Sequence, residues 1–127
     1  MFAVAAQDGV VTVWDRRFAR NASSLQSSGK LKILKTTRTG FPYGAARVVK
    51  FSQGPIDLLM FTEHSGFIHL VDARNFEKTQ ILSATGHDEG AREPDIGGAC
   101  FSPDGKSILV GTDRAIFQWV SSTFGFP

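Results

Sequence analysis

The chain has 127 residues, of which 42% are hydrophobic and 20% charged, and its formal net charge is +2. This balance is typical of a globular domain and excludes an intrinsically disordered chain. Because Cys100 is the only cysteine, no internal disulfide can form, which favours an intracellular compartment, cytoplasmic or nuclear. The apolar runs are too short for a transmembrane segment, and the first residues lack the pattern of a signal peptide.

In chain order, the first predicted elements are two strands joined by a tight turn. The alternating residues 1–7 precede the stretch DGVVTVWD (8–15), in which Asp8-Gly9 supplies the turn. After a loop from 16 to about 28, the stretch KLKILK (30–35) predicts a third strand, because lysines alternate with apolar residues along part of it.

Two later segments repeat the pattern of the first hairpin. SGFIHLVD (65–72) and DRAIFQWV (113–120) each open on a turn pair and run to a branched or aromatic residue, as DGVVTVWD does. Val71 and Trp119 lie 48 residues apart, and several short strands at such a period predict an all-β stack of propeller blades. The other predicted strands of these two units are 46–54, 57–64, 97–105 and 107–112.

This ordered set of residues resembles the repeats of the WD40 family. A narrower likeness is carried by residues 55–76, which resemble uncharacterised fungal WD40-type proteins that have a short Asp-Leu-Leu segment, here Asp57-Leu58-Leu59. The residues that carry the WD40 resemblance are Asp8-Gly9, Trp14-Asp15, Gly86-His87, Phe101-Ser102-Pro103-Asp104-Gly105, Asp113 and Trp119.

The resemblance implies roughly two and a half blades, with boundaries near 1–44, 45–86 and 87–127. Each outer blade would be held by a structural network of polar and aromatic side chains. The middle unit has Ser65 and Val71 where the family has Asp and Trp, so we expect apolar packing alone to hold it. The expected network residues are Asp8, Trp14, His87, Thr112, Asp113 and Trp119.

An incomplete propeller exposes apolar blade faces and strand edges. We therefore expect that further blades or self-association complete the fold. The family resemblance implies a non-catalytic scaffold that presents loops to protein partners. The alternative from another class is that the chain forms part of a larger enzyme.

No catalytic residue, cofactor or metal site is predicted. His64, His69 and His87 lack the regular spacing of a metal site, and the acidic stretch 88–95 lacks the alternation of a calcium loop. Phe41 and Tyr43 could contact a partner, although packing beneath their loop is the stronger interpretation. Cys100 is expected in the core, between Ala99 and Phe101.

A basic segment stands out between 16 and 50, which contains nine basic and no acidic residues. The simplest interpretation is a solvated surface loop. The alternative is a weak site for RNA or anionic lipid, since clustered cations attract phosphate groups. The residues assigned to this possible anion or partner contact are Arg16, Arg17, Arg20, Lys30, Lys32, Lys35 and Arg38.

Overall fold

The computed structural model describes residues 2–14, 30–41, 44–52, 57–84 and 93–120. These residues form three antiparallel sheets, so the predicted all-β class is confirmed. Within the described ranges, no helix is long and apolar enough to cross a membrane. The strands are β1 (Phe2–Ala5), β2 (Val10–Trp14), β3 (Lys30–Lys35), β4 (Ala46–Phe51), β5 (Leu58–Glu63), β6 (Phe67–Asp72), β7 (Thr79–Ser83), β8 (Ile96–Phe101), β9 (Ser107–Thr112) and β10 (Ile116–Val120).

The first sheet has the order β1-β2-β3, the middle sheet β4-β5-β6-β7, and the third sheet β8-β9-β10. Tight turns join β1 to β2, β5 to β6 and β8 to β9. Glycines with positive φ lie in the turns predicted at Gly9, Gly66 and Gly105, with φ values of 90°, 82° and 73°. A residue without a Cβ adopts this left-handed region at no steric cost, so these glycines allow the hairpins to close.

The middle sheet is covered on both faces. All six residues of β5 are buried, and five of the six in β6. Leu58 belongs to the apolar cluster shared with the third sheet, whereas its neighbour Leu59 belongs to the cluster shared with the first sheet. Because consecutive strand residues point to opposite faces, a fully covered sheet requires apolar residues in succession. The Asp-Leu-Leu segment is thus the start of the central core strand.

The three sheets stack in one sense. The side chains of Val11 and Val13 of β2 pack in the cluster between the first and middle sheets. The equivalent side chains of Ile68 and Leu70 of β6 pack in the cluster between the middle and third sheets. We call this side of each sheet its leading face. The opposite side, which receives the preceding sheet, is the trailing face. In β6 it carries Val71, which packs in the cluster shared with the first sheet.

The third sheet continues this arrangement. Its trailing face presents Phe117 and Trp119 to the cluster shared with the middle sheet, and the two rings stack with centroids 5.7 Å apart. Trp119 is only half-buried. The sequence repeat therefore corresponds to a structural repeat, in which equivalent positions of β2, β6 and β10 occupy equivalent faces.

The strand alternation also corrects the expectation for Cys100. In β8, Ala99 is buried against the middle sheet, and the next residue along the strand, Cys100, is exposed. Adjacent residues of a strand point to opposite faces, so an apolar sequence neighbourhood did not place Cys100 in the core. It lies on the leading face of the third sheet, opposite Leu109 in the β8–β9 register.

Candidate functional site

The loop that follows β3 packs against the first hairpin. It lies at the end of the sheets that carries the β1–β2, β5–β6 and β9–β10 turns, which we call the turn end. Thr36 is buried, and its hydroxyl donates to the Gly44 carbonyl at 2.6 Å. The Gly40 amide donates to the carbonyl of Asp8 at 2.7 Å. A Cβ on Gly44 would collide with the Arg38 carbonyl, so the loop closes only because this position is glycine.

This loop places its side chains over a buried carboxylate of the middle sheet. Glu63, at the end of β5, is fully buried. Thr37 donates to it twice, from its backbone amide to Oε2 at 3.1 Å and from its hydroxyl to Oε1 at 2.9 Å. On the other side, Nε2 of His69 lies 2.6 Å from Oε2. Both carboxylate oxygens are therefore held by the protein itself.

Arg38 joins the three sheets at this end. Its Nε donates to Oε1 of Glu63 at 3.4 Å, and its Nη2 donates to the Ser65 carbonyl at 2.7 Å. Its Nη1 pairs with Glu93, which lies just before the third sheet begins. The guanidinium also lies 5.2 Å from the ring centroid of Phe67. We call Thr37, Arg38, Glu63, His69 and Glu93 the Arg38 cluster.

The protonation states in the cluster follow from burial and hydrogen bonding. Burial disfavours the Glu63 carboxylate, but hydrogen bonds from His69 and Thr37 outweigh it and lower the Glu63 pKa. Burial also lowers the His69 pKa, against the opposing effect of Glu63. The pair is therefore an ionised carboxylate accepting from a neutral imidazole, whose ring stacks on Phe61 at 4.5 Å.

A second polar group links the middle and third sheets beside the Arg38 cluster. Arg47 places Nη2 at 2.6 Å from Nδ1 of His64, and His64 Nε2 lies 3.7 Å from Asp95. Asp95 also bonds the β9–β10 turn, because its backbone carbonyl accepts from the Asp113 N–H at 3.0 Å. The turn end of all three sheets is thus tied by polar contacts.

The Arg38 cluster overturns the expectation that apolar packing alone holds the middle unit. Neither Glu63 nor His69 stands at a position that carries the family pattern, so the sequence repeat did not identify them as a pair. A signal was nevertheless present, because Glu63 and His69 lie on the two strands of one predicted hairpin. Residues two apart on a strand share a face, and Phe61 is directly opposite His69.

The residues of the possible anion site whose side chains the structure describes do not share one surface. Arg38 is paired with Glu63 and Glu93 rather than free for an external anion. Lys32 and Lys35 are exposed but lie three residues apart in β3, on opposite faces of the sheet. The side chain of Lys30, and the residues Arg16, Arg17 and Arg20, lie outside the described part of the chain.

Two of the expected blade-network residues of the last unit, Thr112 and Asp113, lie at the β9–β10 turn. Thr112 accepts from the Ala115 amide within its own turn at 3.0 Å. Asp113 is exposed rather than buried, and its carboxylate accepts from the Asp95 amide at 3.1 Å. His87, the expected histidine of this network, lies outside the described residues.

In the first unit, the two network residues lie at opposite ends of β2. Asp8 is exposed in the turn and accepts from the Val10 amide at 3.1 Å. Trp14 is half-buried at the far end and stacks on Phe2 with ring centroids 6.4 Å apart. A separation of four strand residues from Val10 to Trp14 corresponds to about 13 Å. Asp8 therefore acts locally, as a turn residue.

One aromatic side chain projects from the loop after β3. Phe41 is 66% exposed, which corrects the expectation that it packs beneath the loop. Tyr43, its expected companion, lies outside the described residues. The backbone of Phe41 is fixed, because its amide donates to the Arg38 carbonyl and its carbonyl accepts from Gly44. An exposed ring on an anchored loop loses little backbone freedom if it becomes buried by another molecule.

The middle sheet is similar to an uncharacterised protein domain. The uncharacterised protein domain DUF2415 matches residues 44–83, which span β4 to β7. An uncharacterised protein of Schizosaccharomyces pombe is 30% identical over 123 residues, covering 94% of this chain and 33% of that protein. An uncharacterised protein of Saccharomyces cerevisiae is 35% identical over 81 residues, covering 64% of this chain and 10% of that protein.

These findings correct the assignment to the WD40 family, whereas the narrower expectation of uncharacterised fungal relatives agrees with them. The matching domain is DUF2415, and the relatives carry no WD40 designation. The turn pairs and the strand alternation that suggested WD40 repeats are required by any stack of tight antiparallel hairpins, so they do not identify a family. The chain spans about a third of the first relative and a tenth of the second.

Proposed function

We propose that this chain is a non-catalytic protein-interaction scaffold whose three sheets are consecutive blades of a β-propeller. In this proposal the blades span residues 1–44, 45–86 and 87–127. The common orientation of the three sheets supports this proposal, because the equivalent residues Val11 and Ile68 each face the following sheet. The close approach of β1 to β4 and of β4 to β8 also suits strands that surround a common axis.

The partner surface in this proposal is the turn end that the Arg38 cluster holds. The observation that carries it is the pairing of a fixed loop with an exposed aromatic ring. Thr36 donates to Gly44 within the loop, and Thr37 and Arg38 donate to groups of the middle sheet. Phe41 projects from the same loop. Rigid aromatic side chains surrounded by polar groups are typical anchors of protein interfaces.

A structural role for the Arg38 cluster is favoured over a catalytic one. A general base must present a free oxygen or nitrogen to its substrate. Glu63 instead accepts from Thr37, His69 and Arg38, and it is fully buried. Every buried side-chain nitrogen and oxygen in the described ranges likewise has a hydrogen-bond partner. The cluster therefore serves to hold the loop, which is what a presenting surface needs.

The test is direct binding. A protein captured by the chain would be purified and titrated against wild-type chain, Phe41→Ser and the control Glu77→Ser, whose side chain is exposed in the β6–β7 turn at the opposite end. We expect Phe41→Ser to weaken binding at least about tenfold, or 1.4 kcal/mol, and Glu77→Ser to leave it unchanged. Equal affinity of all three proteins, or no direct binding by any captured protein, would contradict the proposal.

A further inference from the structure

Two apolar sheet faces are exposed at the two ends of the stack. On the trailing face of the first sheet, Phe2, Val4 and Ile33 are 37%, 51% and 48% exposed. On the leading face of the third sheet, Leu109 and Ile116 are 36% and 78% exposed. Exposed apolar faces of this kind mark surfaces that bind another protein or another copy.

The structural repeat predicts which kind of sheet face packs against each exposed face. Ile116 is equivalent to Ile68 and Val11, which pack against the trailing face of the following sheet. The leading face of the third sheet therefore has the same side-chain positions as two faces that already bind a trailing face. The exposed trailing face of the first sheet is the counterpart that such a surface fits.

We propose that a second copy of this chain docks head to tail, with the leading face of its third sheet on the trailing face of the first sheet. Both contacts between sheets within the chain join a leading face to a trailing face. A symmetric dimer would instead pair two leading faces or two trailing faces, which occurs at neither internal contact. The interface is therefore heterologous, and each copy retains one face for a further copy.

The chemistry of the two faces permits this contact. On the third sheet, Ile116, Leu109 and Cys100 are uncharged, and Gln118 donates to the Ser107 hydroxyl at 3.4 Å beside them. On the first sheet, Lys35 is the charged residue of the described trailing face, and it lies at the end of β3, where its ammonium can remain in water. No carboxylate of the described residues on these two faces would be buried by the contact.

The test uses sedimentation velocity from about 1 to about 100 µM, a range that detects dissociation constants typical of moderate self-association. Wild-type chain should associate as its concentration rises. Val4→Glu blocks the trailing face, and Ile116→Glu blocks the leading face, so each variant alone should remain monomeric. Both side chains are at least half exposed, so the folded monomer tolerates the change, which far-ultraviolet circular dichroism would verify.

The deciding sample is an equimolar mixture of the two variants. Val4→Glu retains an intact leading face and Ile116→Glu an intact trailing face, so the mixture should form a one-to-one dimer. A monomeric wild-type chain at every concentration, association of either variant alone, or a mixture that stays monomeric would each overturn the proposal. The result is independent of the proposed role of Phe41, which lies on the turn end and is unchanged in all samples.

Discussion

Glu63 and His69 form a buried hydrogen bond of 2.6 Å on the face of the middle sheet that receives the first sheet. The pair lies on adjacent strands of one hairpin and is completed by Thr37 from the preceding sheet. A polar contact that needs both sheets in place fixes their relative position more narrowly than apolar packing does, because its hydrogen bonds require a defined geometry.

Removal of the carboxylate should be the most damaging change in the Arg38 cluster. Glu63→Ala leaves His69, Thr37 and Arg38 without their acceptor. We therefore expect the free energy of unfolding to fall by about 3–5 kcal/mol. Urea denaturation would measure the change. The matched control Glu77→Ala removes an exposed carboxylate and should change stability by less than about 0.5 kcal/mol. Comparable effects of the two substitutions would show that Glu63 is not held as described.

Arg38 should matter less for stability than Glu63. In Arg38→Ala the carboxylate keeps its bonds to Thr37 and His69. We therefore expect the free energy of unfolding to fall by about 1.5–3 kcal/mol, the range for hydrogen bonds to charged groups. The same denaturation series measures it. A loss as large as that of Glu63→Ala would mean that the arginine, rather than the threonine and histidine, carries the buried charge.

Stability should fall as the solution is acidified below the ordinary pKa of histidine. The pKa of His69 is lowered from 6.5 by burial, so the unfolded chain binds a proton more readily than the folded chain. Stability is then fully present above pH 6.5 and declines below it, and the lowered pKa of Glu63 extends the decline to lower pH. Urea midpoints measured from about pH 7.5 to about pH 5 test this. His69→Gln is the control, and in this variant the midpoint should depend less on pH in the upper part of that range.

A separate carboxylate at the opposite end of the middle sheet should titrate near pH 2. Hydrogen bonds from the side chain and the amide of Arg74 lower the pKa of Asp72 from 3.8 to about 2. Stability from this contact is present above pH 3.8 and is lost as the pH falls toward 2. A carboxyl titration followed by nuclear magnetic resonance would give this midpoint, and Arg74→Ala should return it toward 3.8. A wild-type midpoint already near 3.8 would refute the contact.

A methyl group should be tolerated at one glycine and not at another. A Cβ at Gly44 meets the Arg38 carbonyl, whereas a Cβ at Gly111 meets nothing within 4 Å. We expect Gly44→Ala to destabilise by about 1–3 kcal/mol through this overpacking. Gly111→Ala should be neutral or slightly stabilising, because alanine loses less backbone freedom on folding. Thermal denaturation of the two variants compares them directly, and equal melting temperatures would contradict the loop packing.

The strands could be predicted from the sequence because their signals are local. KLKILK and SILVGT coincide with β3 and β9, and the glycines of three turns adopt the predicted positive φ. The Arg38 cluster could not be predicted in this way. Thr37, Glu63 and Glu93 are far apart in the chain, and only the packing of one sheet on the next brings them together. Cys100 and Phe41 were expected to be buried and are exposed. Apolar neighbours in the sequence do not determine which face of a strand or loop a side chain occupies.

Hydrogen exchange at single amides tests whether both faces of the middle sheet are covered. The amides of Leu59, Phe61, Ile68 and Leu70 lie in the two strands that are buried on both sides. They should exchange only through global unfolding and be the slowest in the chain. Amides of β1 and β10, in sheets with one exposed face, should exchange faster. Exchange in β5 and β6 as fast as in β1 and β10 would contradict the stacked arrangement.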